Sequence, residues 1–73
     1  MTTNILIEYT LSLTRENSKA WEMMITARNN QDEWADAKIN RWIGYAQCLL
    51  VAEGATTIDG LKQDVGELVK GKE

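Results

Sequence analysis

The sequence predicts an all-α fold, a small helical domain of two to three helices. Three observations lead to this prediction. The 73 residues include no proline, good helix formers are spread through the middle of the chain, and signals for helix starts and stops divide it into segments of helical length. A chain of this length supports one core, so we treat residues 1–73 as a single domain.

The first thirty residues fit two interpretations. Apolar and polar residues alternate from Asn4 to Leu13 as they do in a half-buried strand. The same stretch also has helical spacing, and a strand without a partner elsewhere in the chain would be left unpaired. We therefore favour a helix, which is clearer over residues 18–28, where Ala20, Met24 and Ile25 share one face.

A central helix is predicted to start at a capping box. Asn30 is placed to act as the N-cap, and Glu33 stands three residues later, where its carboxylate can accept from the cap backbone. The helix then runs through Ala52 and Glu53. Gly54 is suited to the left-handed residue that ends a helix.

A third helix is predicted from residue 58 to about residue 70. Thr56 or Thr57 serves as its cap, and Asp59 in the first turn complements the helix dipole. Gly60 and Gly66 each cost up to about 1 kcal/mol relative to alanine, so this helix depends on packing against the rest of the protein. Residues 70–73 look like a tail.

The central helix carries an apolar arc that extends around half its circumference. A helix that covers only the core of its own chain needs an arc of little more than about 100°, so a second contact surface is predicted. Small domains are commonly stabilised by disulfides, metals or oligomerisation, and a single Cys48 without any histidine leaves oligomerisation. We expect a homo-oligomer, a dimer or a tetramer; the alternative is a three-helix monomer that surrounds its central helix.

Charge and hydropathy narrow the classes of partner. The chain has 8 Lys and Arg against 11 Asp and Glu, a formal net charge of -3, which argues against a nucleic-acid polymer as the ligand. No apolar run is long enough to span a membrane, and the first residues lack the basic region of a signal peptide. We expect a cytoplasmic protein, since a lone cysteine suits a reducing compartment.

The residues expected of an enzyme are scarce. The chain has no histidine to act as general base or metal ligand and no glycine-rich phosphate loop. Cys48 has no conventional base and lies among apolar neighbours in the sequence, where a thiol would be inert. Asp32, Glu33 and Asp36 could bind a hard cation from one helical turn, but three carboxylates at a helix start are also what the helix dipole favours. We therefore expect binding without catalysis, and no metal or cofactor.

Four of the candidate ligand-binding residues form a stripe in which two cations lie between two aromatic rings. Trp34, Lys38, Arg41 and Tyr45 follow helical spacing, and Trp42 comes directly after Arg41. Guanidinium groups bind phosphate with two hydrogen bonds, and aromatic rings stack on bases. The alternative is that the cations lie over the rings and keep their charged ends in water.

Two further features of this region also have two interpretations. Gly44 in mid-helix suggests close approach by another helix or by a ligand. Thr56 and Thr57 offer hydroxyl groups and free backbone N–H groups at a helix start, which is a site for an anion, or they only cap the helix.

The chain resembles a group of small tailed-phage proteins in four short strings of residues. These are Asn40-Arg41-Trp42-Ile43-Gly44-Tyr45-Ala46-Gln47, Leu49-Leu50, Ala52-Glu53-Gly54 and Thr57-Ile58-Asp59-Gly60-Leu61-Lys62. The group is identified as the fourth anti-CBASS family, viral sponge proteins that sequester cyclic dinucleotide immune signals as oligomers. The resemblance covers residues 37–63. Cys48 departs from a common glycine and Gly60 from a common acidic residue.

This resemblance implies a protein without enzymatic activity that holds a cyclic dinucleotide, such as cyclic GMP-AMP, within its assembly. Such a protein needs rings for two bases and donors for two phosphates, but no catalytic base or metal. A second hypothesis is a phage adaptor or inhibitor that presents an apolar helix face to a host protein.

Overall fold

The computed structural model describes residues 2–70, which contain four helices and no strand. The helices are α1 (Thr2–Leu13), α2 (Lys19–Asn29), α3 (Asp36–Ala52) and α4 (Ile58–Lys70). The all-α prediction is confirmed, with four helices rather than two to three. Of the tail predicted over residues 70–73, Lys70 belongs to α4, and residues 71–73 lie outside the described residues. None of the helices in this range is long and apolar enough to cross a membrane.

The first thirty residues form two helices separated by a turn. Helix α1 ends where the Thr14 hydroxyl donates to the Leu11 carbonyl, 2.7 Å away. Asn17 adopts a left-handed backbone with φ of 68°, a conformation that asparagine tolerates better than most residues. The Ser18 side chain then caps α2 by accepting from the Trp21 backbone N–H. The helical interpretation of residues 4–13 is confirmed, and the alternation typical of a strand is overridden.

The capping box predicted at Asn30 is wrong. Asn30 ends α2 instead: its backbone N–H donates to the Ala27 carbonyl, and its side-chain amide donates to the Thr26 carbonyl at 2.7 Å. A turn follows in which Trp34 N–H donates to the Asn30 carbonyl. Helix α3 therefore starts at Asp36, with Ala35 as an N-cap that has no side-chain hydrogen bond. Asparagine can stabilise either end of a helix, and here Asn30 stabilises the C-terminal end of α2.

The predicted stop and restart around Gly54 are confirmed. Gly54 has φ of 80°, and Ala55 N–H donates to the Leu50 carbonyl while Gly54 N–H donates to the Val51 carbonyl. These two hydrogen bonds form a Schellman motif, which satisfies carbonyls that the end of α3 would leave unpaired. Helix α4 begins after Thr57, whose hydroxyl accepts from the Gly60 N–H at 3.0 Å.

Helices α1, α2 and α3 pack together around the core, and α4 packs mainly on α1. The core side chains come from these first three helices and include Ile7, Ala20, Met24, Ala27, Ile39, Ile43, Ala46 and Leu50. Two polar contacts join α1 to α3 and to α4. Thr10, fully buried, accepts from the Gln47 amide of α3 at 3.3 Å, and the Tyr9 hydroxyl donates to Asp64 of α4 at 2.8 Å.

Candidate binding face on helix α3

Helix α3 is buried on one face and exposed on the other. Its buried side consists of Ile39, Ile43, Ala46 and Leu50. The opposite side presents Arg41, Tyr45, Cys48 and Ala52 to solvent, and 62% of the Tyr45 surface is accessible. The broad apolar arc predicted from the sequence is thus covered only in part by the chain itself. We call the exposed residues 41, 45, 48 and 52, with the flanking Lys38 and half-buried Leu49, the α3 face.

Trp34 and Lys38 of the predicted stripe form an aromatic cluster with Trp42 at the start of α3. Trp34 lies in the turn before the helix, and its ring centroid is 4.8 Å from that of Trp42, with the planes tilted by 57°. The Lys38 Nζ lies 4.0 Å from the centroid of the Trp34 ring. Both indoles are half-buried and pack against the core. These contacts match the interpretation in which a cation lies over a ring and the rings serve packing.

Arg41 and Tyr45 are the stripe members that remain open to solvent. They are separated by one helical turn, so their side chains are neighbours on the surface of α3. Within residues 2–70, a salt bridge joins Arg28 to Glu8, and the Arg41 guanidinium takes no part in it. A permanently charged planar donor beside an exposed ring is suited to a ligand with a phosphate and a base.

Thr56 and Thr57 lie at the opposite end of α3 from the aromatic cluster. The end of α3 is about 17 Å along the helix axis from Arg41, at 1.5 Å per residue. Thr57 uses its hydroxyl to cap α4. The capping interpretation describes Thr57, and one chain does not bring the two threonines to the stripe.

A cleft of about 940 Å³ lies between the turn after α1 and the end of α3. Its volume falls within the range of ligand pockets. Among its charged lining residues, Arg15 is accompanied by Glu16 and Glu53. A surplus of carboxylates repels a phosphate, so the α3 face suits an anionic ligand better than this cleft does.

Other residues considered from the sequence have clear positions in the structure. Cys48 is exposed rather than enclosed by apolar neighbours. Asp32, Glu33 and Asp36 do not form a site, since no group of three potential metal ligands occurs in the described part of the chain. A Cβ added at Gly44 would meet no atom within 4 Å, so no close approach within the chain explains this glycine.

Sequence reasoning missed two polar pairs that organise the helices, Tyr9 with Asp64 and Thr10 with Gln47. Burial, followed by the hydrogen bond to Asp64 and the charge of that carboxylate, raises the pKa of Tyr9 to about 12. The partners are 55 and 37 residues apart in the chain. Helical periodicity reports contacts three or four residues apart, so it contains no signal for such pairs.

Comparison of the chain with protein-family models, with curated proteins and with solved structures found no match. What the α3 face can bind therefore follows from the chemistry of its own side chains. Its guanidinium and phenol are accessible, are adjacent, and have a second cation nearby in Lys38.

Proposed function

We propose that this protein binds and sequesters a cyclic dinucleotide, such as cyclic GMP-AMP, without degrading it. In this proposal it is a phage protein that acts in the cytoplasm of the host cell as a homo-oligomer, a dimer or a tetramer, and lowers the free concentration of the signal that activates CBASS defence. No metal, cofactor or catalytic group takes part.

The observation that carries the proposal is the exposed pair of Arg41 and Tyr45 on the α3 face. Arg41 donates to phosphate oxygens, and the Tyr45 ring stacks on a base. Stacking contributes about 1–3 kcal/mol per base, and a hydrogen bond to a charged group about 1.5–3 kcal/mol. Losing either contact therefore weakens binding by about tenfold or more.

The remaining candidate residues support this pair in different ways. Trp34 and Trp42 pack against each other near the pair of Arg41 and Tyr45, and Lys38 over the Trp34 ring supplies a second positive charge. Thr56 and Thr57 contribute to the same ligand only from a second copy, because the length of α3 separates them from Arg41 in one chain. An open face of this kind encloses a nucleotide once another copy covers it.

The proposal is tested by calorimetry of cyclic GMP-AMP binding to the parent, Arg41→Ala and Tyr45→Ala. We expect each variant to bind about tenfold more weakly or worse. Arg15→Ala serves as the matched control, since Arg15 is an exposed arginine at the turn after α1. Equal affinity of all four proteins, with their folds and association states unchanged, would contradict this assignment.

Turnover is tested on the same samples. After long incubation and denaturation of the protein, the nucleotide should be recovered unchanged. Cleavage products that accumulate with time would show an enzyme and refute sequestration.

The exposed apolar part of the α3 face favours one alternative, a phage adaptor or inhibitor that binds a host protein. Tyr45 and Ala52 are open to solvent and Leu49 is half-buried, as expected of a helix face that docks on a protein. Thermal unfolding with cyclic nucleotides separates the two functions. A ligand at 100 times its dissociation constant stabilises the fold by about 2.7 kcal/mol, whereas a protein-only binder shows no shift.

A further inference from the structure

We propose that the α3 face docks against the same face of a second copy, with the two α3 helices antiparallel and Lys38 of each copy opposite Glu53 of the other. This inference deepens the homo-oligomer of the proposed function by naming its interface. The association itself needs no nucleotide.

The first argument is that the part of the α3 face from residue 45 to residue 52 has no charged residue, whereas an exposed helix surface is ordinarily charged. Arg41 is the one charged residue between Lys38 at one end of the face and Glu53 at the other. Tyr45 is the exposed aromatic ring at its centre, with Leu49 and Ala52 beside it. Tyrosine is enriched among the residues that dominate binding energy at protein interfaces.

The second argument is the distribution of charge along the face. Lys38 and Arg41 make its amino-terminal half positive. Glu53 follows its other end, and the last turn of α3 contains no basic residue to offset the negative end of the helix dipole. A second copy in the antiparallel direction places the positive half of each helix beside the negative end of the other.

Lys38 and Glu53 are available for this pairing. The Lys38 ammonium lies over the Trp34 ring, and an ammonium has three donors, so it can also donate to a carboxylate. Glu53 is exposed at the C-cap of α3. The salt bridge in residues 2–70, between Arg28 and Glu8, involves neither Lys38 nor Glu53.

Pairing Lys38 with Glu53 fixes the register of the two helices. The midpoint falls between Tyr45 and Ala46, so a two-fold axis passes there. The two Tyr45 side chains lie on either side of this axis, where a nucleotide base can stack between their rings. The same residues are then used by both copies, as a closed dimer requires.

Charge exchange tests the register. Sedimentation equilibrium without nucleotide should show a dimer for the parent, and dissociation constants raised about tenfold for Lys38→Glu and for Glu53→Lys. The double variant Lys38→Glu/Glu53→Lys should return to within about threefold of the parent. Arg15→Glu, a charge reversal away from the face, should leave association unchanged.

Recovery in the double variant reports a contact between copies. In one chain the two residues are about 22 Å apart along α3, at 1.5 Å per residue, which is beyond the screening length of about 10 Å at 0.1 M salt. Lys38→Glu also loses the contact with Trp34, and that loss is common to the single and the double variant. Single variants that both associate like the parent, or a double variant no better than the singles, would overturn the register.

A second measurement uses the parent sequence and does not depend on how the variants fold. In this register the two Cys48 residues are about 8 Å apart along the helix axes, so a short bismaleimide should link two copies. The control is Cys48→Ser/Glu22→Cys, which moves the thiol to an exposed position on α2 and should yield little dimer. A parent that remains monomeric at all concentrations, or that is linked no faster than this control, would overturn the interface.

The outcomes separate this inference from the proposed function. Association that follows the charge exchange while cyclic dinucleotides fail to bind would retain the interface and reject sequestration. Nucleotide binding by a protein that does not dimerise through this face would reject the interface and retain sequestration.

Discussion

Single polar residues decide how α1 meets the rest of the molecule. Thr10 has no exposed surface, yet its hydroxyl is satisfied twice: it donates to the Leu6 carbonyl at 2.7 Å and accepts from Gln47. A buried hydroxyl without partners would cost about 1–3 kcal/mol, so this geometry specifies how α1 and α3 align. Tyr9 makes the corresponding contact with α4, at the surface.

Ionisation of Tyr9 should release that contact. The pKa of Tyr9 is raised from 10.0 to about 12 in the folded protein, so the protonated phenol is favoured by folding. The contribution of the protonated Tyr9 to the stability of the fold is complete below pH 10 and is lost as the pH rises through 12. Denaturant unfolding of the parent and of Tyr9→Phe checks this.

The parent should be more stable than Tyr9→Phe below pH 10, and its advantage should disappear near pH 12. Every other ionisable group is the same in both proteins, so the comparison cancels its effect. A difference between the two proteins that does not change with pH would contradict the role of Tyr9.

At the scale of the helices, glycines in α3 and α4 lie in different surroundings. Gly44 is exposed in the middle of α3, with open space where a Cβ would lie. A Cβ at Gly60, in the first turn of α4, would lie 3.1 Å from the Thr57 hydroxyl that caps the helix. The same substitution should therefore have different effects at the two positions.

Gly44→Ala should stabilise the fold by up to about 1 kcal/mol, because alanine has the higher helix propensity and meets no obstacle. Gly60→Ala should gain less or lose stability, because the Thr57 cap must shift. Denaturant unfolding measures both. Destabilisation by Gly44→Ala would mean that another molecule packs closely on this glycine, as the sequence alone suggested.

How far the helices were predictable depends on whether local signals competed. The boundaries around Gly54 and Thr57 were predictable because glycine is the residue best suited to a left-handed stop and either of two adjacent threonines can cap the next helix. Asn30 was misassigned because the same side chain serves either helix end, and its tertiary setting decides. The alternation in α1 resembled a strand, but no second strand exists in residues 2–70 to pair with it.

The candidate site was predictable in composition but not in arrangement. Helical spacing placed Lys38, Arg41 and Tyr45 on one side of α3. It did not show that Trp34 and Trp42 turn inward against the core while Arg41 and Tyr45 stay outside, because exposure depends on where α1 and α2 pack. The separation of Thr56 and Thr57 from the stripe follows from the length of α3.

At the scale of the whole molecule, residues 2–70 form a three-helix core with a less firmly attached fourth helix. The principal extents of the Cα trace are 31, 31 and 17 Å, which is a flattened shape. Helix α4 packs mainly on α1, where the Tyr9 hydroxyl donates to Asp64. It buries Leu61 and leaves 61% of the Ile58 surface exposed. Few buried contacts make a segment the first to open.

Amide hydrogen exchange should therefore rank the helices. We expect the amides of residues 39–50 in α3 to exchange slowest, through global unfolding, and those of residues 62–68 in α4 to exchange fastest among the helical interiors. Tyr9→Phe should accelerate exchange in α4 while changing α3 little. Equal protection in α3 and α4 would show that the four helices open as one unit.

The short turns between α1, α2 and α3 have a consequence for the speed of folding. Each of these helices packs on the next one in the chain, and the turns at residues 14–18 and 30–35 close with local hydrogen bonds. Bundles dominated by such local contacts fold in microseconds to milliseconds, and a chain without proline has no prolyl isomerisation to delay them. The exposed face of α3 thus exists almost as soon as the chain is released, before a partner molecule has time to arrive by diffusion.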